Sequence, residues 1–184
     1  PYEELRQAYR QYIQRRLYDQ GVGDRVSVVL FTDRARVLYE NQSIEKVSQE
    51  LPYHSGGTAF SPAMNMDCEL IGRCYQPTKS IHMIFMTDGG AGDASYAAAT
   101  LQQTCNRFQR LKFTGLAVGS GASIGNIQTI ANGAGRRGSA ETITNFADLK
   151  MKFIELARDS SATDTLYRKI GQTISEKVSF CFIL

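Results

Sequence analysis

The sequence predicts a doubly wound α/β domain built on a mainly parallel sheet, and three observations carry that prediction. Short, nearly unbroken apolar runs recur at residues 25–31, 80–86 and 113–118, as strands covered on both faces should read. Segments with three- and four-residue apolar spacing separate them, so strands alternate with helices and the connections are crossovers. The chain has 184 residues, 42% of them hydrophobic and 21% charged, which suits one packed domain and leaves no long tract too polar to fold.

The elements follow in order. Leu5, Ala8, Tyr9, Tyr12, Ile13 and Leu17 mark one face of an opening amphipathic helix with Arg and Gln between them. Gly21-Val22-Gly23-Asp24 ends it, and the β-branched run Arg25–Phe31 begins the sheet. Thr32-Asp33-Arg34-Ala35 is a tight connection to a second strand near Arg36–Glu40, so the two strands form a hairpin, and a short helix is expected around Ile44–Leu51. After the loop Ser55-Gly56-Gly57-Thr58 a helix runs through Met64, Cys68 and Ile71, and Ser80–Met86 supplies the next strand. A helix from Ala94 to Leu111, a strand Phe113–Val118, a helix starting near Ser123, a short strand at Ala140–Ile143 and a helix through Phe146, Leu149, Phe153 and Leu156 complete the alternation. Val178–Leu184 is a further apolar strand.

Composition excludes several function classes. A net charge of +3 over 21 basic residues without dense clusters does not favour nucleic acid. No stretch reaches the roughly 18 apolar residues of a membrane span. Cys68, Cys74, Cys105 and Cys181 show no metal-ligand spacing, and their surroundings predict buried free thiols, consistent with a reducing compartment such as the cytoplasm. The chain opens at Pro1 without a methionine or signal-like stretch and reads as a segment of a longer product.

In a sheet of this type the loops at the carboxyl ends of the strands carry the binding chemistry. Two loops have the composition for it. Gly56-Gly57-Thr58 pairs two glycines, which permit close backbone approach, with one hydroxyl. Thr87-Asp88-Gly89-Gly90 places a carboxylate at the end of an apolar strand. Thr58 and Asp88 are hard oxygen donors suited to a magnesium ion that keeps several waters and offers a position to a partner's carboxylate. Gly56, Gly57, Gly89 and Gly90 are the expected partner-binding loop positions.

Gly23-Asp24-Arg25-Val26 through Phe31-Thr32-Asp33, then Gly56-Gly57-Thr58, then Phe85-Met86-Thr87-Asp88-Gly89, resemble the von Willebrand factor type A domain in order and spacing, and the likeness extends through Leu116–Gly121, Ile127, Ile130, Ala131, Phe146 and Leu149, over residues 2–157. The resemblance implies that Thr58 and Asp88 belong to a metal ion-dependent adhesion site taking Mg2+ or Mn2+, and that the function is non-catalytic recognition of a protein partner through an acidic group. It also implies a first strand ending in Asp-x-Ser-x-Ser, a motif this sequence does not contain. The site is therefore expected to be incomplete here, with the ion weakly held or absent and fully bound only in the intact parent.

The expected organisation is a domain over residues 1–158 lacking its first strand, a linker or helix over 159–177, and a strand over 178–184. That strand either fills the vacant first-strand slot or opens a following tandem domain of the same type. A row of unpaired backbone groups beside the slot would cost several kcal/mol, which favours its being filled.

Other motifs have simpler readings. His82 sits mid-strand among apolar residues and reads as a core histidine; His54 reads as an exposed loop residue. Gly119–Gly125 with Glu141 resembles a dinucleotide fingerprint, but its third glycine is one place late, and loop glycines with Ser123 as a helix cap explain it better. Arg136-Arg137 reads as a solvated turn. Cys181–Leu184 fits a prenylation box, although a strand is the better reading. A nucleotide-binding enzyme and a lipid-anchored peripheral protein are thus the rival functions.

Overall fold

The computed structural model describes residues 2–19, 23–52, 56–77, 79–119, 122–145, 147–158 and 179–183. The expectations for His54 and Phe146 and for the segment 159–177 lie outside these residues. Helix α1 (Tyr2–Tyr18) is followed by strands β1 (Arg25–Phe31) and β2 (Ala35–Ser43). Helix α2 (Phe60–Cys74), strand β3 (Ile81–Thr87), helix α3 (Ala94–Arg107) and strand β4 (Leu111–Val118) come next. Helix α4 (Ile124–Gly133), strand β5 (Gly138–Ile143), helix α5 (residues 147–158) and strand β6 (Ser179–Ile183) complete the described elements.

The strands form one sheet in the order β2-β1-β6-β3-β4-β5. β2 pairs with β1 antiparallel, as the expected hairpin, and every other neighbour is parallel. Strand β6 lies between β1 and β3, with Cys181 opposite both Ser27 and Met83 and Ile183 opposite both Val29 and Phe85. The last strand in sequence is therefore central in space. It occupies the slot that was one of its two expected places, and Cys181 stands mid-strand.

Alternation along the strands explains why they read as unbroken apolar runs. Val29, Phe31, Ile81, Met83, Phe85, Leu111 and Phe113 face a core shared with α2, α3 and α4. Val26, Val28, Leu30, Ile84, Met86 and Leu116 face the opposite core, made with α1 and α5. Both faces of the sheet are covered, so neither set is spared burial. Among the described residues no helix is long and apolar enough to cross a membrane.

Several local expectations are corrected. The helix expected at Ile44–Leu51 is only a 3-10 turn, Ile44–Lys46. Leu51 precedes a proline, which disfavours helix, and Val47 is extended, so that Ile44, Val47 and Leu51 all plug the α1 side of the core. The Tyr9 hydroxyl donates to the Ser48 carbonyl oxygen at 3.1 Å, tying α1 to this segment. Helix α3 stops at Arg107 and β4 starts at Leu111, because Leu111 is fully buried opposite Ile81. Arg137 is no solvated turn residue: its guanidinium donates to the carbonyl oxygens of Cys105 and Phe108 at 2.7 and 2.9 Å, satisfying acceptors at the carboxyl end of α3. Cys68, Cys74 and Cys105 are free thiols, but only Cys105 is buried in full. Burial nevertheless pushes the Cys68 thiol up to about 12, which makes it a poor nucleophile at neutral pH.

Candidate functional site at the carboxyl edge

Three loops leave the carboxyl ends of β1, β3 and β4 on one edge of the sheet. The hairpin turn comes first: Thr32 N–H donates to the Arg34 carbonyl oxygen at 2.8 Å, and the Thr32 carbonyl oxygen accepts from Ala59 N–H at 2.8 Å. The second contact fastens the Gly56–Ala59 loop to the end of β1. Thr32 Oγ1 also donates to the Asp33 carboxylate at 3.0 Å, and Asp33 is exposed.

Within each glycine pair the two positions differ. A Cβ at Gly56 would stand 2.9 Å from Thr32 Cβ, and one at Gly89 would stand 2.6 Å from Thr58 Oγ1. Gly56 and Gly89 are thus required for close packing of the protein against itself. At Gly57 and Gly90 an added Cβ would meet only ordinary contacts, at 3.8 and 3.7 Å, and these two positions are exposed.

The same contact brings the two predicted ligand loops together. Thr58 is half-buried with its hydroxyl against Gly89, and Asp88, exposed, directly precedes that glycine. Gly89 N–H donates to Thr87 Oγ1 at 3.1 Å, curling the loop over the end of β3. Hydroxyl and carboxylate are both hard donors, so they fit an ion such as Mg2+ that retains water. Among the described residues no group of three His, Cys, Asp or Glu side chains is placed to hold a metal.

Sequence reasoning missed what fixes this arrangement. Asp93, at the N-cap position of α3, makes no side-chain cap to its own helix. Its carboxylate instead accepts from the backbone N–H groups of Phe60 and Ser61 at 3.1 and 2.7 Å, capping α2 from across the edge. Pro62 in the first turn of α2 lacks an N–H that would have needed a partner. Burial pushes the Asp93 carboxyl up, but the Ser61 and Phe60 N–H groups outweigh it and hold the group below its ordinary range. On the other side, Asn126 Nδ2 donates to the Ala91 carbonyl oxygen at 2.9 Å, and Ser123 Oγ accepts from Asn126 N–H as the expected cap of α4. An Asp before a helix is a visible cap signal, but its use by a different helix depends on tertiary placement. Glu141, the acid of the dinucleotide comparison, is held by Lys152 Nζ at 2.5 Å, on β5 and α5.

No protein-family model matches the chain, and no curated protein matches it in sequence. Solved structures do match. A von Willebrand factor type A protein from Catenulispora acidiphila aligns over 86% of this chain and 38% of its own, at 17% identity and a TM-score of 0.58. Proximal thread matrix protein 1 from the mussel byssus, solved with a zinc-occupied MIDAS motif, aligns over 87% of this chain and 40% of its own, at 18% identity and a TM-score of 0.62. A second structure of that mussel protein aligns over 83% and 41%, at 16% identity and a TM-score of 0.51. The chain has the fold of von Willebrand factor type A domains. It spans about two fifths of the length of the solved structures it matches.

Proposed function

We propose that the carboxyl edge around Thr58 and Asp88 is a protein-recognition surface, at which a divalent ion, Mg2+ or Mn2+, joins these two groups to an acidic side chain of the partner. The observation that supports this reading is the packing of Thr58 Oγ1 against Gly89, which puts the only two ligand-type side chains the resemblance supplies on adjoining loops. The mussel protein of the same fold has a zinc-occupied MIDAS motif, which makes an ion at this edge chemically reasonable. Two protein ligands leave most of the coordination shell to water, so the ion is held weakly here and strongly only where a further ligand loop is present. The role is binding, and no catalytic group is assigned.

Paramagnetic broadening by Mn2+ tests the proposal, because it reports weak sites residue by residue. Amide signals of Thr58, Asp88 and Gly89 are expected to broaden at the lowest Mn2+ concentrations, and Asp88→Asn is expected to abolish that selectivity while leaving the spectrum otherwise unchanged. Uniform broadening, or broadening centred on another acidic cluster, would show that Thr58 and Asp88 are structural and that recognition proceeds without an ion.

A further inference from the structure

We infer that the amino edge of the sheet, opposite the candidate ion site, carries a second docking surface: a basic patch of Arg107, Arg110, Lys112, Arg136 and Arg137 that receives an acidic segment of a partner protein. The overall charge of +3 does not announce it. Residues 94–140, however, hold those five cations and no Asp or Glu, and the fold gathers them. Arg107 closes α3, Arg110 and Lys112 flank the first residue of β4, and Arg136 and Arg137 lie in the 3-10 turn Gly135–Arg137 that leads into β5. Strands β4 and β5 are parallel neighbours with Phe113 opposite Gly138, so the residues before these, Lys112 and Arg137, stand side by side at the start of the sheet. The Arg137 guanidinium donates to the carbonyl oxygens of Cys105 and Phe108, which draws the turn carrying Arg136 against the end of α3.

Helix capping accounts for only part of this charge. The carboxyl ends of α3 and α4 carry about half a negative charge each, and Arg137 already serves the first of them. Arg107, whose guanidinium lies 5.0 Å from the centre of the Phe108 ring, and Arg136 are both exposed, and neither has an ion-pair partner among the described residues. The arginines of α1 and α2 behave differently: Arg6 and Arg10 pair with Glu50, Arg15 with Asp19, Arg16 with Asp24 and Arg73 with Glu40. A surface that keeps its positive charge in this way is complementary to an acidic ligand. Guanidinium groups take carboxylates through paired hydrogen bonds, and the exposed amides of Asn106 and Gln109 add neutral hydrogen-bonding groups between the arginines. Single-stranded nucleic acid fits less well, because bases need exposed rings to stack on, and a membrane fits less well, because interfacial binding needs an apolar face. The exposed large hydrophobic residues among those described are Tyr18, Tyr96, Ile124 and Met151, none of them in the patch.

Binding of a fluorescent glutamate-rich peptide to the full chain tests the inference, in buffer free of divalent ions so that the Thr58 and Asp88 edge takes no part. Arg107→Gln/Arg136→Gln is expected to weaken binding about tenfold, the combined effect of two exposed charge pairs. Lys46→Gln/Lys150→Gln removes the same charge from exposed positions elsewhere and should leave binding largely unchanged. Amide shifts on adding the peptide should concentrate on Arg107–Lys112 and Arg136–Gly138, and affinity should fall as salt is added. Equal losses in the two double variants would mean attraction by net charge alone and would overturn the inference, as would absence of binding by the wild-type chain at low salt. Tighter binding of single-stranded RNA, or of phosphatidylcholine vesicles containing phosphatidylserine, at these same residues would overturn it in favour of that partner.

Discussion

Arg16→Met is expected to destabilise the protein by about 3–5 kcal/mol, the usual cost of leaving one member of a buried ion pair without the other. Arg16 is 1% exposed and Asp24 is 3% exposed. Arg16 Nε donates to Asp24 Oδ2 at 2.8 Å, Nη2 donates to the same oxygen, and Nη1 reaches the Ala157 carbonyl oxygen at 3.0 Å. One guanidinium thus ties α1 to the start of β1 and to the carboxyl end of α5. Asp24 also holds the chain beyond β2 in place, since its carbonyl oxygen accepts from Ile44 N–H at 3.0 Å. The double variant Arg16→Met/Asp24→Leu removes both charges and should recover much of the loss, because the desolvation cost disappears with the pair. Urea denaturation of the two single variants and the double would give the coupling. A single-variant loss below about 1 kcal/mol, or simple additivity, would mean that the pair is hydrated and not buried.

The second large effect is a dependence on acid carried by His82. Burial, followed by the nearby Lys112 and Lys152 charges, lowers its pKa from the ordinary 6.5 to about 3. His82 Nε2 and Thr114 Oγ1 lie 2.9 Å apart, giving the neutral ring a polar partner within the sheet layer. The sign follows from proton uptake. Below pH 6.5 the unfolded chain binds a proton at His82 and the native chain does not, so the stability that His82 contributes is complete above that pH and falls as pH drops toward 3. Between pH 6.5 and 4.5 the loss should be about 2–3 kcal/mol. His82→Gln removes this titration, and the pH slope of its stability in that window should be shallower by that amount. Equal slopes for the two proteins would show that His82 is solvated or protonated in the fold.

The fold was legible because both faces of the sheet are covered. Val26–Phe31, Ile81–Met86 and Phe113–Ala117 read as apolar runs for the same reason that they are buried on both sides. The run Val178–Leu184 had the same character, and the resemblance to a fold whose first strand was wanting left two places for it, the central slot or a following tandem domain; β6 lies between β1 and β3. The ligand-type residues were legible too, since Thr58 and Asp88 follow strand and loop signals that are local. Less accessible were interactions that join distant segments. Arg16 lies among the polar residues of an amphipathic helix and is distinguished only by what α5 and β1 place around it. Asp93 carries a local cap signal and spends it on another helix, 33 residues away from Phe60 in sequence. The close approach of Gly56 to Thr32 and of Gly89 to Thr58 of the same chain is likewise a tertiary contact that the glycines alone do not announce.

The placement of β6 between β1 and β3 is the centre of the sheet, and native-state amide hydrogen exchange addresses it directly. If β6 is the central strand, the amides of Phe180, Cys181, Phe182 and Ile183 that donate across the sheet should exchange as slowly as those of Met83, Ile84 and Phe85, through global unfolding only. Exchange of the β6 amides at the rate of an unstructured peptide, with β3 still protected, would contradict the account: β1 and β3 would then close on each other or on another strand.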